Sequence, residues 1–201
     1  MTQPIFQSVF AEQWEALPPV MKLHYALRTG TGDQVMAKGA LDIRACRMVR
    51  MLARTTGMLT PYEGTAVPVD VRFHTGADAK QFCLDRQFHY PGGKPARFHS
   101  RMCPVGGDEV IEWMRYGFGW KCAFAWEGDR VTLRHRGYVW KLFGLHLPVP
   151  LHWLLGKGYA EERPLTDTRF AMWTHTIHPL FGETFRYGGE FELSGGPCAA
   201  S

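Results

Sequence analysis

The chain has 201 residues, 45% hydrophobic, 21% charged and 13% aromatic, a balance that excludes disordered and collagen-like chains. Its 23 Lys and Arg against 19 Asp and Glu leave a net charge of +4 with no dense basic run, so nucleic acid is not an expected partner. Five scattered cysteines (Cys46, Cys83, Cys103, Cys122, Cys198), none in a Cys-x-x-Cys pair, read as free thiols of a reducing compartment.

The first residues, MTQPIFQSVFAEQWEALPPV, lack the basic start and long apolar core of a leader. No stretch supplies the roughly 18 unbroken apolar residues of a spanning helix, so the expectation is a soluble cytoplasmic protein. Ile5, Phe6, Val9, Phe10 and Trp14 fall near a helical stripe over 5–16. Pro18 disfavours helix at Leu17, and Pro19 can open a second helix. QVMAKGALD (34–42) predicts a strand. Residues 43–57 predict a helix, with Ala45, Met48, Val49 and Leu52 on one face, Arg47, Arg50 and Arg54 on the other, and Gly57 as its stop.

Beyond residue 65 the period changes to two. Val67, Val69, Val71 and Phe73 alternate with Pro68, Asp70, Arg72 and His74. FCLDRQFHY, ARFHSRMC, EVIEWMRYGF, KCAFAWE, RVTLRHRGYVW, DTRFAMWTHTI and TFRYGGEFEL continue at short spacing, and Gly128-Asp129 suits a two-residue hairpin turn. The fold expected is α+β but mainly β: a strongly curved antiparallel sheet or barrel of about eight or nine strands with N-terminal helices. One β-rich domain would span 1–194, with 195–201 a disordered tail.

In the last strand Phe185, Tyr187, Phe191 and Leu193 share one face and Arg186, Glu190 and Glu192 the other, with Gly188-Gly189 where a curved sheet must bend. His175 and His178, three apart on a strand, point to opposite faces, and no other spacing supplies metal ligands, so the histidines read as structural or surface groups and no metal is expected. No Gly-x-Ser-x-Gly elbow marks a nucleophile. Charges on apolar faces are more telling. Arg86 falls with Phe82, Leu84 and Phe88, and Glu112 with Val110, Met114 and Tyr116, so both would point inward. A buried charge needs a partner, which leaves either an internal Arg86–Glu112 pair or an anchor for a ligand's polar head, with Ser100 and Tyr187 adding hydrogen bonds. A one-residue error of phase would instead put both outside.

Residues 138–156 carry one charge in nineteen, and Pro148 and Pro150 prevent one regular helix. They read as core strand plus buried connection, or else as an apolar flap over a cavity mouth or a membrane-touching surface.

LPPVMKLH (17–24), VPVDV (67–71) after a helix, Arg86-x-Phe88, FHS (98–100), Tyr116-Gly117, LPVP (147–150) and HPLFGETFRYGG (178–189) occur in an order that resembles the bacterial domain of unknown function 4166 family, over about residues 5–193. Leu84 departs from it, standing where the family pattern leads one to expect tryptophan. The resemblance transfers no activity and no cofactor. It implies a domain found alone or behind a reductase-like, dinucleotide-binding domain; without a Gly-x-Gly-x-x-Gly loop this chain reads as the stand-alone form.

The first functional reading is therefore a non-enzymatic barrel that binds an apolar or lipid-like small molecule, with Arg86, Glu112, Ser100, Tyr116 and Tyr187 as its ligand-binding residues. Two others stand beside it. One is an enzyme acting on an apolar substrate, with Glu112 or a histidine as acid/base. The other is an accessory domain for a reductase partner.

Overall fold

A computed structural model describes residues 3–76 and 80–196 of the chain. The N-terminal segment forms helix α1 (Gln7–Phe10), a 3-10 turn (Ala11–Ala16) and helix α2 (Pro19–His24). Pro19 sits in the first turn of α2, where a missing N–H leaves no bond unmade. Then follow β1 (Gln34–Ala45), α3 (Arg47–Thr56), β2 (Gly64–Thr75), β3 (Phe82–Phe88), β4 (Ala96–Gly106), β5 (Glu109–Trp113) and β6 (Phe118–Trp126). The chain continues through β7 (Val131–Leu142), β8 (Leu145–Val149), α4 (His152–Leu155), β9 (Lys157–Pro164), β10 (Arg169–His178) and β11 (Gly182–Gly196).

The sheet order is β6-β5-β4-β3-β2-β1-β11-β10-β9-β7-β8, every pairing antiparallel, and β6 also pairs with β7. That pairing closes ten strands into a barrel, which removes their open edges, and leaves β8 bonded to β7 alone. Pro148 is tolerated because it lies in this edge strand, opposite Val139. The α+β reading, with an antiparallel barrel behind N-terminal helices, is the fold observed. The strands beyond the expected eight or nine are β8 and β9.

Two boundaries differ from the sequence reading. Ile43–Ala45 do not begin the helix but continue β1, paired with Tyr187–Phe185. α3 then ends as expected, at Gly57 in the left-handed region (φ 63°), whose N–H reaches the Ala53 carbonyl. Gly195 and Gly196 are not tail but the end of β11, opposite Val35 and Gln34; residues 197–201, Cys198 among them, lie outside the described residues. Cys46, Cys83 and Cys122 are free thiols.

The alternating faces point as the sequence pattern requires. Val67, Val69, Val71 and Phe73 are buried, as are Phe185, Phe191 and Leu193, while Glu190 and Glu192 are exposed. Where β1 crosses β11 the backbones approach so closely that a Cβ on Gly189 would lie 1.9 Å from the Ala40 carbonyl oxygen. One end of the barrel is plugged by the N-terminal segment: the Phe6 ring lies 4.8 Å from Tyr25, 5.1 Å from Phe82 and 5.2 Å from Phe124. α3 and α4 lie at the other end, and one apolar core runs from the plug through the barrel. No helix among the described residues is long and apolar enough to cross a membrane.

Candidate functional site

β3, β4 and β5 run side by side, and their inward positions bring three polar side chains together. Leu84 stands opposite Ser100, Arg86 opposite Phe98, and Met102 opposite Glu112. Arg86 and Glu112 are each 8% exposed and Ser100 is fully buried. The Arg86 Nη1 donates to Ser100 Oγ at 2.8 Å and Nη2 to Glu112 Oε1 at 3.1 Å; Ser100 Oγ–H donates to the same Glu112 oxygen at 2.6 Å. The guanidinium also lies over the Phe98 ring, 5.0 Å from its centroid. Burial disfavours the charged arginine, but Tyr187 and Glu112 outweigh it and hold the group above its usual pKa. Of the two arrangements left open above, the geometry is that of an internal pair, with the serine as a third member.

Tyr187 projects inward from β11 beside this triad. Its hydroxyl makes no hydrogen bond to the protein among the described residues, and burial raises its pKa. Tyr116 does not join the group. β5 ends at Trp113, and Tyr116 turns outward in a 3-10 turn (Arg115–Gly117) with φ 58°, leaving it 65% exposed. Two consecutive positive φ values, at Tyr116 and Gly117, break the strand alternation that would have aimed it inward.

Two lobes of empty space that share part of their lining adjoin the triad. The larger, of about 110 Å³, lies toward the end carrying α3 and α4 and is walled by Val49, Leu52, Phe118, Tyr138, Leu151 and Leu155. The smaller, of about 50 Å³, lies deeper, against Phe73, Leu84, Met102 and Phe170. Glu112, Trp120, Thr174 and Tyr187 line both and form the waist between them. Arg86 touches only the deeper lobe, and its two terminal nitrogens already donate within the triad. Glu112 Oε1 is likewise engaged, while Oε2 makes no hydrogen bond to the protein among the described residues.

The deeper lobe has a second polar group that sequence reasoning missed. Glu162 on β9 is 8% exposed and accepts a hydrogen bond from the Tyr25 hydroxyl at 2.7 Å, so the N-terminal plug is tied to the barrel wall. His24 stacks on Tyr25 at 4.5 Å, with Nδ1 3.8 Å from Glu162 Oε2. Burial lowers its pKa despite Glu162, so that contact joins a neutral imidazole to a carboxylate and is no ion pair. The available signal was Glu162 itself, which alternates with Gly158 and Ala160 in KGYAEERP.

His178 organises a turn. Its Nδ1 accepts the backbone N–H groups of Leu180 and Phe181, and its Nε2 lies 2.8 Å from the Trp153 carbonyl. These partners require a neutral ring protonated at Nε2. His175 packs between Trp173 and Tyr159, at 4.2 and 5.4 Å. Among the described residues no group of three His, Cys, Asp or Glu could hold a metal ion.

Residues 138–156 begin as core strand, with Tyr138 and Val139 buried in β7, but the connection that follows is not buried. They form the end of β7, the β8 edge strand and α4, with Phe143, Leu145, Leu147, Trp153 and Leu154 exposed. Tyr138, Leu151 and Leu155 nevertheless wall the larger lobe, as a flap would.

The family model described as "Domain of unknown function (DUF4166)" matches residues 17–191. Among solved structures, the crystal structure of Rv2717c from M. tuberculosis is similar over 89% of this chain and 98% of that chain, with 10% identity and a TM-score of 0.45. No curated protein matches the chain.

Proposed function

This chain belongs to the DUF4166 family, whose description assigns no activity, and we propose from its interior that it is a non-enzymatic barrel binding a small, largely apolar molecule. The observation that carries the reading is the cavity waist, where Glu112 Oε2 and the Tyr187 hydroxyl face an otherwise apolar wall without protein partners. Pockets of this kind use apolar surface for affinity and a few polar groups for orientation.

Volume and polarity narrow the ligand. Lobes of about 110 and 50 Å³ compare with the roughly 150 Å³ engineered cavity that admits benzene. A ring or a short chain fits; a whole two-chain lipid does not. Two of the five guanidinium N–H groups are used by Ser100 and Glu112, and Arg86 does not line the larger lobe, whereas Glu112 does, so the charged group a ligand meets first there is an acceptor. A hydrogen-bond-donating head, hydroxyl or amine, suits the site better than a carboxylate.

The test begins with native mass spectrometry of the purified protein and extraction of any retained molecule. Titration with phenol, benzylamine and benzoate, followed by changes in tryptophan fluorescence, then separates the head groups. Phenol or benzylamine should bind, and Glu112→Gln and, with the Arg86–Glu112 pair left intact, Tyr187→Phe should each weaken that binding. If benzoate binds most tightly, Arg86 is the anchor instead. If none binds and nothing co-purifies, the barrel is a filled scaffold.

A further inference from the structure

The apolar surface of the molecule is concentrated at one end. Strand registers put α3, the 113–118 connection, the β7–β8 hairpin, α4 and the β10–β11 turn at the same rim of the barrel, around the larger lobe. Phe143 (95% exposed), Leu145, Trp153, Leu154, Leu180 (79%) and Phe181 (75%) all project there. Of the large apolar side chains exposed among the described residues, only Val105, Leu165 and Trp173 lie elsewhere. Singly exposed apolar residues are ordinary; a ring of them on separate elements is not.

Three details show that the rim is built. Lys141 pairs with His146 and Leu142 with Leu145 beyond the start of β6, so the hairpin tip extends past the barrel strands as a two-stranded prong, braced at its base by the His146 ring 4.9 Å from that of Trp113. Buried His178 binds the Trp153 carbonyl through one nitrogen and the Leu180 and Phe181 amides through the other. It also stacks on Phe181 at 4.7 Å, and so holds two separate apolar tips together. Cations flank the tips: Arg47, Arg54, Arg115, Lys141 and Lys157 are exposed and have no carboxylate partner among the described residues. The carboxylates at this end are engaged, Glu63 with Arg50, Glu183 with Arg186, and Asp42 with the Ala66 N–H.

From this arrangement we infer that the cavity end of the barrel docks on an anionic lipid bilayer surface, with Phe143, Trp153, Leu180 and Phe181 entering the interface and the surrounding lysines and arginines facing lipid phosphates. Aromatic and aliphatic tips flanked by unpaired Lys and Arg combine the two terms of interfacial binding, burial at the acyl boundary and attraction to anionic headgroups. Separate prongs also suit a deformable lipid phase better than a rigid protein partner, which needs a complementary surface at each tip. Docking there would place the cavity mouth against the lipid. The docking itself does not depend on what the cavity holds, so it is testable whether or not a ligand is found.

The experiment is flotation of the purified chain with vesicles of phosphatidylcholine alone and of phosphatidylcholine mixed with phosphatidylglycerol. The protein should float with the mixed vesicles and much less with the neutral ones, and added salt should release it. Phe143→Ser/Phe181→Ser and, separately, Lys141→Gln/Lys157→Gln should each weaken binding by at least about tenfold, while melting temperatures stay near that of the wild type because all four side chains are exposed. Absence of binding to either vesicle, or full binding by both variants, would overturn the inference. So would a dimer in sedimentation that Phe143→Ser/Phe181→Ser dissociates, if vesicles are not bound; the face would then be a contact between two copies.

Discussion

Arg86 and Glu112 form an ion pair inside the barrel, Nη2 to Oε1 at 3.1 Å, with Ser100 hydrogen-bonded to both. Removing one member of a buried pair strands the other's charge, at a cost of about 3–5 kcal/mol. Arg86→Met should therefore destabilise the fold by roughly that amount in urea unfolding. Arg86→Met/Glu112→Gln should recover most of the loss, since the amide oxygen can still accept from Ser100. A single variant as stable as the wild type would show that the pair contributes nothing to folding.

The last strand offers a cleaner contrast. Phe191 is 2% exposed and lies 5.7 Å from Phe170, whereas its neighbour Glu190 is exposed and pairs with Arg169. Phe191→Ala should cost about 3–5 kcal/mol. Glu190→Ala should cost under about 1 kcal/mol, as exposed ion pairs do. Similar midpoints for the two variants in chemical denaturation would contradict the strand phase.

That phase was legible beforehand because β2, β3 and β11 bury alternate residues against a core on one face. β9 was not legible. Its inward residues are Gly158, Ala160 and Glu162, small or charged, and a Cβ on Gly158 would already lie 3.0 Å from the Trp120 ring, so no hydrophobic alternation marks the strand. β8 hides behind Pro148, which only an edge position tolerates, and Pro150 just past its end. Arg86 and Glu112 betrayed themselves as charges in apolar register, whereas the Tyr25–Glu162 bond joins residues 137 apart in sequence, which no local pattern can show. Tyr116 misled because a left-handed backbone at a non-glycine residue leaves no trace in composition.

The two glycines of Gly188-Gly189 should tolerate substitution very differently. A Cβ at Gly189 would meet backbone, 1.9 Å from the Ala40 oxygen, and could be relieved only by moving β1 and β11 apart. At Gly188 the nearest atom is the Trp173 Cδ1 at 2.6 Å, on a side chain that is 36% exposed and can swing away. Gly189→Ala should lower the melting temperature far more than Gly188→Ala. Equal shifts would mean that β1 and β11 do not approach as closely as drawn.

Acid sensitivity should begin well above the carboxylate range, because of His135. Its Nδ1 accepts the Trp120 indole N–H at 3.0 Å, which requires that nitrogen to be unprotonated. Burial, with smaller contributions from His152 and Lys157, lowers its pKa from 6.5 to about 4. Between those values the unfolded chain binds a proton that the folded chain refuses, so stability declines as pH falls from about 6.5 to about 4 and the loss is complete below it. His24 and His175 are shifted in the same direction by burial and add to the slope. His135→Gln keeps an acceptor for Trp120 but cannot titrate, so unfolding midpoints measured across this window should decline less steeply than in the wild type without becoming flat. An unchanged slope would mean that His135 takes up its proton in the folded state as readily as in the unfolded chain.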